Sequence, residues 1–457
     1  MNTSLAAAVF FIVYVCMSLF PDEYEGYALY VALGVSMLAV YVDQETDVSE
    51  IAAEAITDSI LNVNDSSKSI KFGASLPLNS KVGVNIVNGI NAAFTSVNIS
   101  GGIDKRKIEL ISKNDNNMEI YVHKNTKTIL EENEDLLGFV SPIGYDMTKT
   151  MLDATSSEGT ACKMVISPFS MHSDLRGSNF EYYNNIINLA GYNYDSFSYF
   201  IGYFHDKLGL KTFGVFSENN IESNNNVDVL KYTLKRRGLG LVSQGTYETM
   251  TPRDINFGFN DSIAASPKVI FVFSDIDYVC LEYINRCRTL GLTSLIVFIG
   301  LHSQSFISKI PVPHRYGIFF SSNIPDLNNI KLEVVTKFKR DILLVESFNS
   351  NKVNRGNMLI EKDNYISFYG YLVGMYIIKI LETITKEDES VNVSSFNEAL
   401  LNTKNVVIGN DYIYEFFGNT NQALTYMFLY EVFETTNKPI EYTPEKYYKN
   451  ASKLFKK

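Results

Sequence analysis

The sequence predicts an α/β fold of two lobes, each a doubly wound parallel sheet with helices on both faces. Short apolar runs rich in β-branched and aromatic residues recur from residue 70 onward, as is typical of strands buried on both faces. Helical patterns separate these runs, and repeated β-α units indicate a parallel sheet. The alternation continues for most of the chain, which is too long for one such sheet, so we expect two lobes.

The predicted strands share a nearly continuous apolar character and are residues 70–76, 107–112, 136–141, 163–168, 212–217, 269–274 and 294–300. Three intervening segments have helical patterns, namely residues 82–98, 227–240 and 277–291. Gly238 and Gly291 stand where helix C-caps belong, each before a strand. The asparagine-rich segment 221–226 is expected to be a mobile loop.

Composition restricts the class of partner. The chain has 457 residues, a net charge of -11 and a pI of about 5.1. Phosphate binding needs clustered Lys and Arg, so a nucleic-acid partner is not expected. The chain has 29 Tyr, 30 Phe and no Trp, and we expect the Tyr and Phe rings to provide the bulky packing.

The four cysteines favour free thiols. Cys16 lies in an apolar run, and Cys162 stands alone. Cys280 and Cys287 lie in a helical pattern, where their spacing is about 10 Å, too far for a disulfide in an unbroken helix. We expect buried free thiols. The sequence has no C-x-x-C motif and no Cys/His cluster, so we expect no zinc site.

The N-terminus contains two apolar runs, residues 5–20 and 27–42. Each is shorter than the roughly 20 residues of a comfortable membrane span. The first fits a signal-peptide core in length, but no basic residue precedes Lys68. Three interpretations remain open: a signal peptide plus an anchor, a two-helix membrane hairpin, or a wrongly assigned start of the chain. We expect residues 1–45 to be signal or anchor segments and residues 46–68 to be a linker.

Six N-x-S/T sequons are compatible with a lumenal or extracellular location. Their asparagines are Asn2, Asn64, Asn98, Asn260, Asn392 and Asn450. In a chain this rich in asparagine, several sequons would occur by chance.

Several segments together resemble a known family. Residues 70–117 contain a strand, a Pro-Leu loop, a helix, an Asn-x-x-Gly-Gly-Ile turn with Gly101 and Gly102 at positions suited to positive φ, and a second strand. Further matching segments are LLGFVSPIG (136–144), KMVISPFSMHSDLRG (163–177), 195–254, 266–300 and 367–384. In order and spacing they resemble the leucine/isoleucine/valine-binding branch of type I periplasmic binding proteins. The same module forms the ligand-binding region of several receptors.

The resemblance covers roughly residues 69–433 and implies two lobes joined by a hinge. Lobe 1 would comprise residues 69–190 and about 320–400. Lobe 2 would comprise residues 191–319 and about 401–433, followed by a C-terminal tail at 434–457. Residues 395–433 also look similar to the extracellular region of trypanosomatid receptor-type adenylate cyclases, but the sequence contains no cyclase domain, so cyclase activity is not carried over.

The resemblance also implies where a ligand would bind. In open α/β sheets, ligands bind outside the carboxyl ends of the strands, so the cleft would lie between two such edges and close by a hinge motion. Helix N-termini at these edges would suit a ligand carboxylate. The candidate ligand-binding residues are Leu76, Ser141, Pro142, Phe169, Ser170, Met171, Ser217, Asp275, Leu301 and His302.

The candidate residues depart from the amino-acid-binding members of this family in three places. Where those members place a hydroxyl residue after Ile-Ser-Pro, this chain has Phe169-Ser170-Met171. The acidic residue expected to hold a ligand ammonium is replaced, near Gly300, by Leu301 or His302. The segment SENNIESNNN also lacks the tyrosine that often stacks on the ligand. The resemblance therefore supports a cleft but not its usual occupant.

For several of the residues that could carry chemistry, a structural role is the simpler interpretation. His302 is more simply a loop histidine than a ligand contact. Asp275 and Asp277 could coordinate a cation, but a helix N-cap with an acidic first turn is the simpler interpretation. Asp254 is expected to be a turn or cap residue. Ser170 has no G-x-S-x-G frame, and no dinucleotide, Walker A or H-E-x-x-H motif occurs in the sequence, so we expect no enzyme and no cofactor.

The sequence therefore predicts an extracytoplasmic protein that closes its two lobes around a small polar, amino-acid-like or other solute. We expect the N-terminal segments to contact the membrane. The resemblance to the binding-protein family, whose receptor members often pair through one lobe, also allows a homodimer. The alternative is a degenerate binding-protein fold that serves as a surface protein-interaction domain. An open cleft lined by Ser141, Ser170 and Asp275 would favour binding. A filled apolar cleft with Phe169, Met171 and Leu301 would favour the alternative.

Overall fold

A computed structural model describes most of the chain from residue 69 onward. The described ranges are 69–156, 162–176, 185–189, 193–274, 276–299, 304–322, 324–350, 364–387, 389–416, 421–424, 428–433 and 436–439. The predicted N-terminal hydrophobic segments, the linker and Cys16 lie outside them. Within these ranges, no helix has the length and apolar character required to cross a membrane.

Lobe 1 is built on a five-stranded sheet in the order β2-β1-β3-β4-β5, with every neighbouring pair parallel. Its strands are β1 (Ile70–Leu76), β2 (Ile108–Asn114), β3 (Gly138–Val140), β4 (Met164–Ile166) and β5 (Ile186–Ile187). The connecting helices are α1 (Lys81–Ile99), α2 (Glu119–Glu132) and α3 (Tyr145–Thr155). Strands β1, β3, β4 and β5 are almost wholly buried, as the near-continuous hydrophobic runs predict, whereas the edge strand β2 is mostly half-buried.

Lobe 2 is built on a seven-stranded sheet in the order β15-β14-β10-β9-β8-β6-β7. Its strands are β6 (Phe213–Glu218), β7 (Leu241–Tyr247), β8 (Val269–Phe273), β9 (Leu295–Phe298), β10 (Ile318–Ser322), β14 (Phe428–Phe433) and β15 (Thr436–Pro439). Its helices are α4 (Asn193–Ile201), α5 (Ile221–Lys235), α6 (Pro252–Ile263), α7 (Asp277–Thr289) and α8 (Gln304–Lys309). The pairs among β6 to β10 are parallel, whereas β14 and β15 add antiparallel strands at one side.

The remaining elements are three helices and a small antiparallel sheet. The helices are α9 (Glu333–Ser350), α10 (Tyr365–Lys386) and α11 (Val393–Asn402). The sheet comprises β11 (Asn405–Ile408), β12 (Tyr412–Phe416) and β13 (Ala423–Leu424). A backbone bridge between Asn188 and Gln422 connects this part of the chain to the end of β5. The prediction of two parallel-sheet lobes is confirmed, while the predicted residue boundaries between the lobes stay predictions.

The prediction of a loop before the second lobe 2 helix is wrong. Residues 221–226 were expected to be a mobile loop, but they form the start of α5. The Asn220 side chain accepts a hydrogen bond from the backbone N–H of Ser223 at 2.8 Å and so caps the helix. Asparagine is a favoured N-cap because its side chain can satisfy an otherwise unpaired helical N–H group. The polar residues that follow therefore belong to the first turns of a helix, where Ser223 is buried and Glu222, Asn225 and Asn226 are half-buried.

The glycine turns are confirmed. Gly238 and Gly291 have φ of 69° and 72° and follow the ends of α5 and α7, as the predicted C-caps require. Within residues 96–107, Gly101 and Gly102 have φ of 102° and 77°, a backbone conformation that residues with a Cβ rarely adopt.

None of the three described cysteines forms a disulfide bond. Cys280 and Cys287 are buried on α7, as the prediction required, but Cys162 is exposed. The expectation of a buried thiol at Cys162 is therefore wrong, because this residue lies in the segment before β4 and not within a strand or helix.

Candidate functional site

Two unusual serine turns end the central strands of lobe 1. Ser141 follows β3 and Ser167 follows β4, with φ of 51° and 53°, and both are fully buried. Positive φ is uncommon for a residue with a Cβ, and sites of this kind cluster at functional positions. The Ser141 hydroxyl makes no hydrogen bond within the part of the chain that the structure describes. The carboxyl edge of the lobe 1 sheet thus contains a buried hydroxyl group with unused hydrogen-bonding capacity.

Tyr369 of α10 reaches the same edge. Its hydroxyl lies 2.6 Å from Ser167 Oγ and 2.8 Å from the Ser167 carbonyl oxygen. Its ring contacts Phe169 edge-on, with ring centroids 5.0 Å apart. Burial raises the pKa of Tyr369 to about 12, while the hydrogen bond with Ser167 opposes the rise. Ser141 lies close to this phenol, but no hydrogen bond of normal geometry joins the two.

The loop after β4 is fixed by its own backbone. The Phe169 N–H donates to the Pro142 carbonyl at 2.8 Å, and the Gly144 N–H donates to the Phe169 carbonyl at 3.1 Å. These bonds join the β3 and β4 loops that were predicted to present groups to a ligand. They also hold the half-buried Phe169 side chain in place beside the sheet edge.

Arg176 and His172 stabilise the rest of this loop. The buried Arg176 guanidinium donates to the Ser170 carbonyl at 2.5 Å and, through Nε, to Gln422 Oε1 at 2.9 Å. The Ser170 hydroxyl accepts a bond from the His172 N–H at 3.2 Å. These contacts within the protein therefore fix the shape of the loop.

His172 is held as a neutral imidazole. It stacks on Tyr145 with ring centroids 3.9 Å apart, and its Nδ1 accepts the Asp174 backbone N–H at 3.2 Å. Burial lowers the pKa of His172, an effect that the nearby Asp174 and Asp146 carboxylates oppose and Arg176 reinforces. A nitrogen that accepts a hydrogen bond cannot also be protonated, so the loop geometry favours the neutral form.

The carboxyl edge of the lobe 2 sheet also ends in hydroxyl groups. Ser217 at the end of β6 is fully buried, and its Oγ makes no hydrogen bond among the described residues. Next to it, the Tyr247 hydroxyl lies 2.7 Å from Ser274 Oγ and donates to Glu218 Oε2 at 3.3 Å. Burial raises the pKa of Tyr247, so this phenol remains protonated at neutral pH.

The two lobes contact each other through polar side chains. The Ser170 hydroxyl, after β4 of lobe 1, donates to Glu222 Oε1 on α5 of lobe 2 at 2.6 Å. One helical turn further along, the Asn225 amide donates to Ser173 Oγ at 2.6 Å, and its oxygen accepts the Ser173 N–H at 3.1 Å. These three hydrogen bonds join the loop after β4 to the first turns of α5.

The predicted site residues fall into three groups. Ser141, Pro142, Phe169, Ser170 and Met171 lie together in the two joined loops of lobe 1, and Leu76 ends β1 at the same sheet edge. Ser217 lies at the edge of lobe 2. Asp275, Leu301 and His302 lie outside the described residues. Contact of these ten residues with a ligand stays a prediction.

Two acidic residues have structural partners. Asp277 is in the first turn of α7, after the N-cap Ile276, and its carboxylate lies 3.5 Å from Lys309 Nζ. The Asp254 carboxylate accepts backbone N–H bonds from Glu248 and Thr249 in the turn before α6, which agrees with the predicted turn role. Among the residues for which the structure gives positions, no group of His, Cys, Asp or Glu could hold a metal ion.

Sequence reasoning missed Tyr369, His172, Arg176 and Glu222. Tyr369 and His172 lie in segments 367–384 and 163–177, which were matched to the family, but their burial beside the sheet edge depends on tertiary packing. Glu222 was missed because its segment was interpreted as a loop. The sequence offered a signal here, since Asn220 followed by an acidic residue is typical of a helix start.

Comparisons with known proteins agree with this fold. A possible leucine/isoleucine/valine-binding protein from Rhodopirellula baltica is 18% identical, with a TM-score of 0.67 over 82% of this chain and 97% of that one. A branched-chain amino acid transporter substrate binding protein from Streptococcus pneumoniae, in complex with isoleucine, is 14% identical, with a TM-score of 0.63 over 82% and 99%.

A third similar structure is a fatty acid ABC transporter substrate-binding protein from Thermomonospora curvata. It is 16% identical, with a TM-score of 0.63 over 83% of this chain and 92% of that one. None of the proteins named here is a receptor-type adenylate cyclase, so that part of the resemblance stays a prediction. No curated protein sequence matches the chain. A family model described as "Periplasmic binding protein" matches residues 69–437, and the chain therefore belongs to the periplasmic binding protein family.

Proposed function

We propose that the protein is an extracytoplasmic binding protein that closes its two lobes around a small polar molecule. The observation that carries this proposal is the pair of buried hydroxyls, Ser141 Oγ and Ser217 Oγ, at the carboxyl edges of the two sheets. Buried polar groups are nearly always hydrogen-bonded, and leaving one unpaired costs about 1–3 kcal/mol. A ligand at the strand ends would supply the partners that the described residues do not.

The chemistry of the edge favours a small carboxylate with an apolar part. Ser141 is followed within a few residues by the start of α3 at Tyr145, where free N–H groups and the helix dipole favour negative charge. The rings of Phe169 and Tyr369 offer an apolar wall beside these groups. The similar structures from S. pneumoniae and T. curvata carry the names of isoleucine and fatty acid binding, two ligand classes that combine a carboxylate with an apolar part.

Thermal unfolding of the full chain against amino acids, fatty acids, sugars, nucleosides and small carboxylates tests the proposal. A ligand at 100 times its Kd adds about 2.7 kcal/mol to the free energy of unfolding, which is a rise of a few degrees in Tm for a chain of this size. Ser141→Ala and Ser217→Ala should each reduce the rise caused by the active compound. Ser266→Ala, at an exposed serine of lobe 2, is the matched control and should leave the rise unchanged.

The second candidate function is a protein-interaction domain without a small ligand. Two observations favour it: the Phe169 ring packs on Tyr369, and the Ser170 hydroxyl already bonds to Glu222. The protein thus uses two predicted ligand contacts for its own packing. A flat Tm across the whole panel, from a sample that unfolds cooperatively, would contradict small-molecule binding and support this alternative.

The proposal extends to location and assembly. Residues 5–20 and 27–42 would attach the chain to a membrane or direct it to secretion, and the two-lobed part would carry no enzymatic activity. A homodimer is proposed from the family resemblance alone. Membrane fractionation of the full chain and of a chain that begins at residue 45 tests the attachment, and sedimentation tests the dimer. A full chain that remains in the soluble fraction, at its full length, would contradict attachment.

A further inference from the structure

The contact between the lobes is made by the protein's own side chains. Ser170 bonds to Glu222, and Ser173 exchanges two hydrogen bonds with Asn225. We refer to these four residues as the interlobe clasp. One of its two bonds of 2.6 Å joins the Ser170 hydroxyl to the Glu222 carboxylate. Hydrogen bonds to an ionised acceptor are about twice as strong as those between neutral groups.

The lobe 1 half of the clasp is preorganised. The Ser170 carbonyl is fixed by Arg176, and its hydroxyl accepts the His172 N–H while donating to Glu222. The ring of His172 is in turn stacked on Tyr145. Ser170 and Ser173 therefore lose little additional freedom when they bond to lobe 2.

The lobe 2 half is equally fixed, because it lies on a capped helix. Asn220 caps α5, and the Ser223 hydroxyl donates to the Phe273 carbonyl at 3.4 Å, which ties the first turn to β8. Asn226 accepts a hydrogen bond from Asn193 of α4. Glu222 and Asn225 thus project from a rigid base, and their spacing of three residues places them on one helix face.

We propose that Glu222 and Asn225 are affinity-determining residues that act by holding the lobes closed. This inference rests on the proposed function for its link to ligand affinity, whereas its effect on lobe closure needs no ligand. When only part of a population is competent to bind, the apparent Kd increases by the inverse of that fraction. A clasp that populates the closed arrangement in advance therefore tightens binding without touching the ligand.

The test measures lobe closure in the full chain without ligand. Donor and acceptor dyes are attached at Lys127→Cys on α2 and Lys231→Cys on α5, both exposed, in a background with Cys16→Ser and Cys162→Ser. The double variant Glu222→Ala, Asn225→Ala should shift single-molecule energy transfer toward an open population. The single variant Glu222→Gln keeps Asn225 and retains a side-chain hydrogen-bond acceptor at position 222. It should therefore show a larger closed population than the double variant.

Asn224→Ala is the matched control. Asn224 is exposed on the same turn, and its amide bonds to Asn219, away from lobe 1. This variant should leave the distribution unchanged. Circular dichroism and cooperative unfolding of each variant establish that the lobes remain folded, and hydrogen exchange at the Ser173 amide provides a second reading, because this N–H loses its acceptor in Asn225→Ala.

The outcomes separate the clasp from the proposed function. An opened double variant, with Ser173 exchange increased at least ten-fold, supports the clasp; where the panel also yields a ligand, its Kd should increase several-fold. Energy transfer identical in the folded double variant and in the unsubstituted chain overturns the clasp, whether or not a ligand is found. An opened variant, together with a flat Tm across the panel for the unsubstituted chain, supports the clasp as a closing contact but overturns both the proposed function and the affinity role.

Discussion

Two close-packed regions, one in each lobe, fill the interior in different ways. In lobe 1, α1 and α10 approach so closely that a Cβ at Gly89 would lie 1.9 Å from the Ser367 carbonyl oxygen, and one at Gly370 would lie 2.3 Å from that of Ile86. In lobe 2, aromatic rings fill the space between sheet and helices. The rings of Phe216 and Tyr283 lie 4.5 Å apart.

This difference has an energetic consequence. Where two backbones are in contact, one added methyl group forces the helices apart, because neither carbonyl can move independently of its helix. Where rings interdigitate, a change in side-chain size is absorbed in part by the neighbours, and the loss is graded. Lobe 2 has a backbone contact of its own, at Gly245 and Gly258, but its two buried clusters consist mainly of aromatic and branched residues.

The largest effect is expected at the helix contact. Gly89→Ala should lower the free energy of unfolding by roughly 3 kcal/mol or more, because the new Cβ meets backbone atoms and not a flexible side chain. Urea unfolding measures the change. Gly240→Ala is the matched control, since a Cβ there has no neighbour within 4 Å, and it should change the free energy by less than about 0.5 kcal/mol. Equal effects at the two glycines would refute the backbone-contact argument.

An intermediate effect is expected in the aromatic core. Tyr283 is fully buried, packs on Phe216 and Phe259, and shares a hydrogen bond of 2.8 Å with Ser262. Tyr283→Leu should cost about 2–4 kcal/mol through lost ring packing. Tyr283→Phe retains the ring and should cost only about 1 kcal/mol, because Ser262 still donates to the Phe259 carbonyl. A larger loss in the Phe variant than in the Leu variant would make the hydroxyl, not the ring, the dominant contribution.

The smallest expected effect is the pH dependence of stability caused by His172, in the loop after β4 of lobe 1. Burial lowers the pKa of His172 in the folded protein below its usual value of 6.5, so the unfolded chain binds the proton more readily. The stability contributed by the neutral ring is present above pH 6.5 and is lost as the pH falls through 6.5 toward the folded pKa, by at most about 1.4 kcal/mol per pH unit.

Unfolding free energies measured between pH 8 and pH 5 test this expectation. His172→Gln should reduce the decline below pH 6.5, while His123→Gln, at an exposed histidine of α2, should leave it as in the unsubstituted chain. The same decline in all three proteins would exclude His172 as its source.

The site was predictable to the extent that it depends on strand ends. Ser141, Phe169 and Ser217 were identified from the family resemblance and from their positions at or just after the ends of predicted buried strands. Tyr369 could not be assigned to the edge, because it is separated from Ser167 by 202 residues along the chain and reaches it only through the packing of α10. The interlobe bonds of Glu222 and Asn225 were likewise unpredictable from local pattern, since they join segments 52 residues apart.

The sequence by itself determined the alternation of strands and helices, the glycine turns at Gly101, Gly238 and Gly291, and the two-lobed α/β class. Those features follow from residue-scale causes, namely the periodicity of apolar side chains and the freedom of glycine at positive φ. Only the tertiary structure decided which hydroxyls remain unpaired and which side chains join the lobes. Hydrogen-bond partners and burial depend on distances between segments far apart in the chain, and local pattern does not specify those distances.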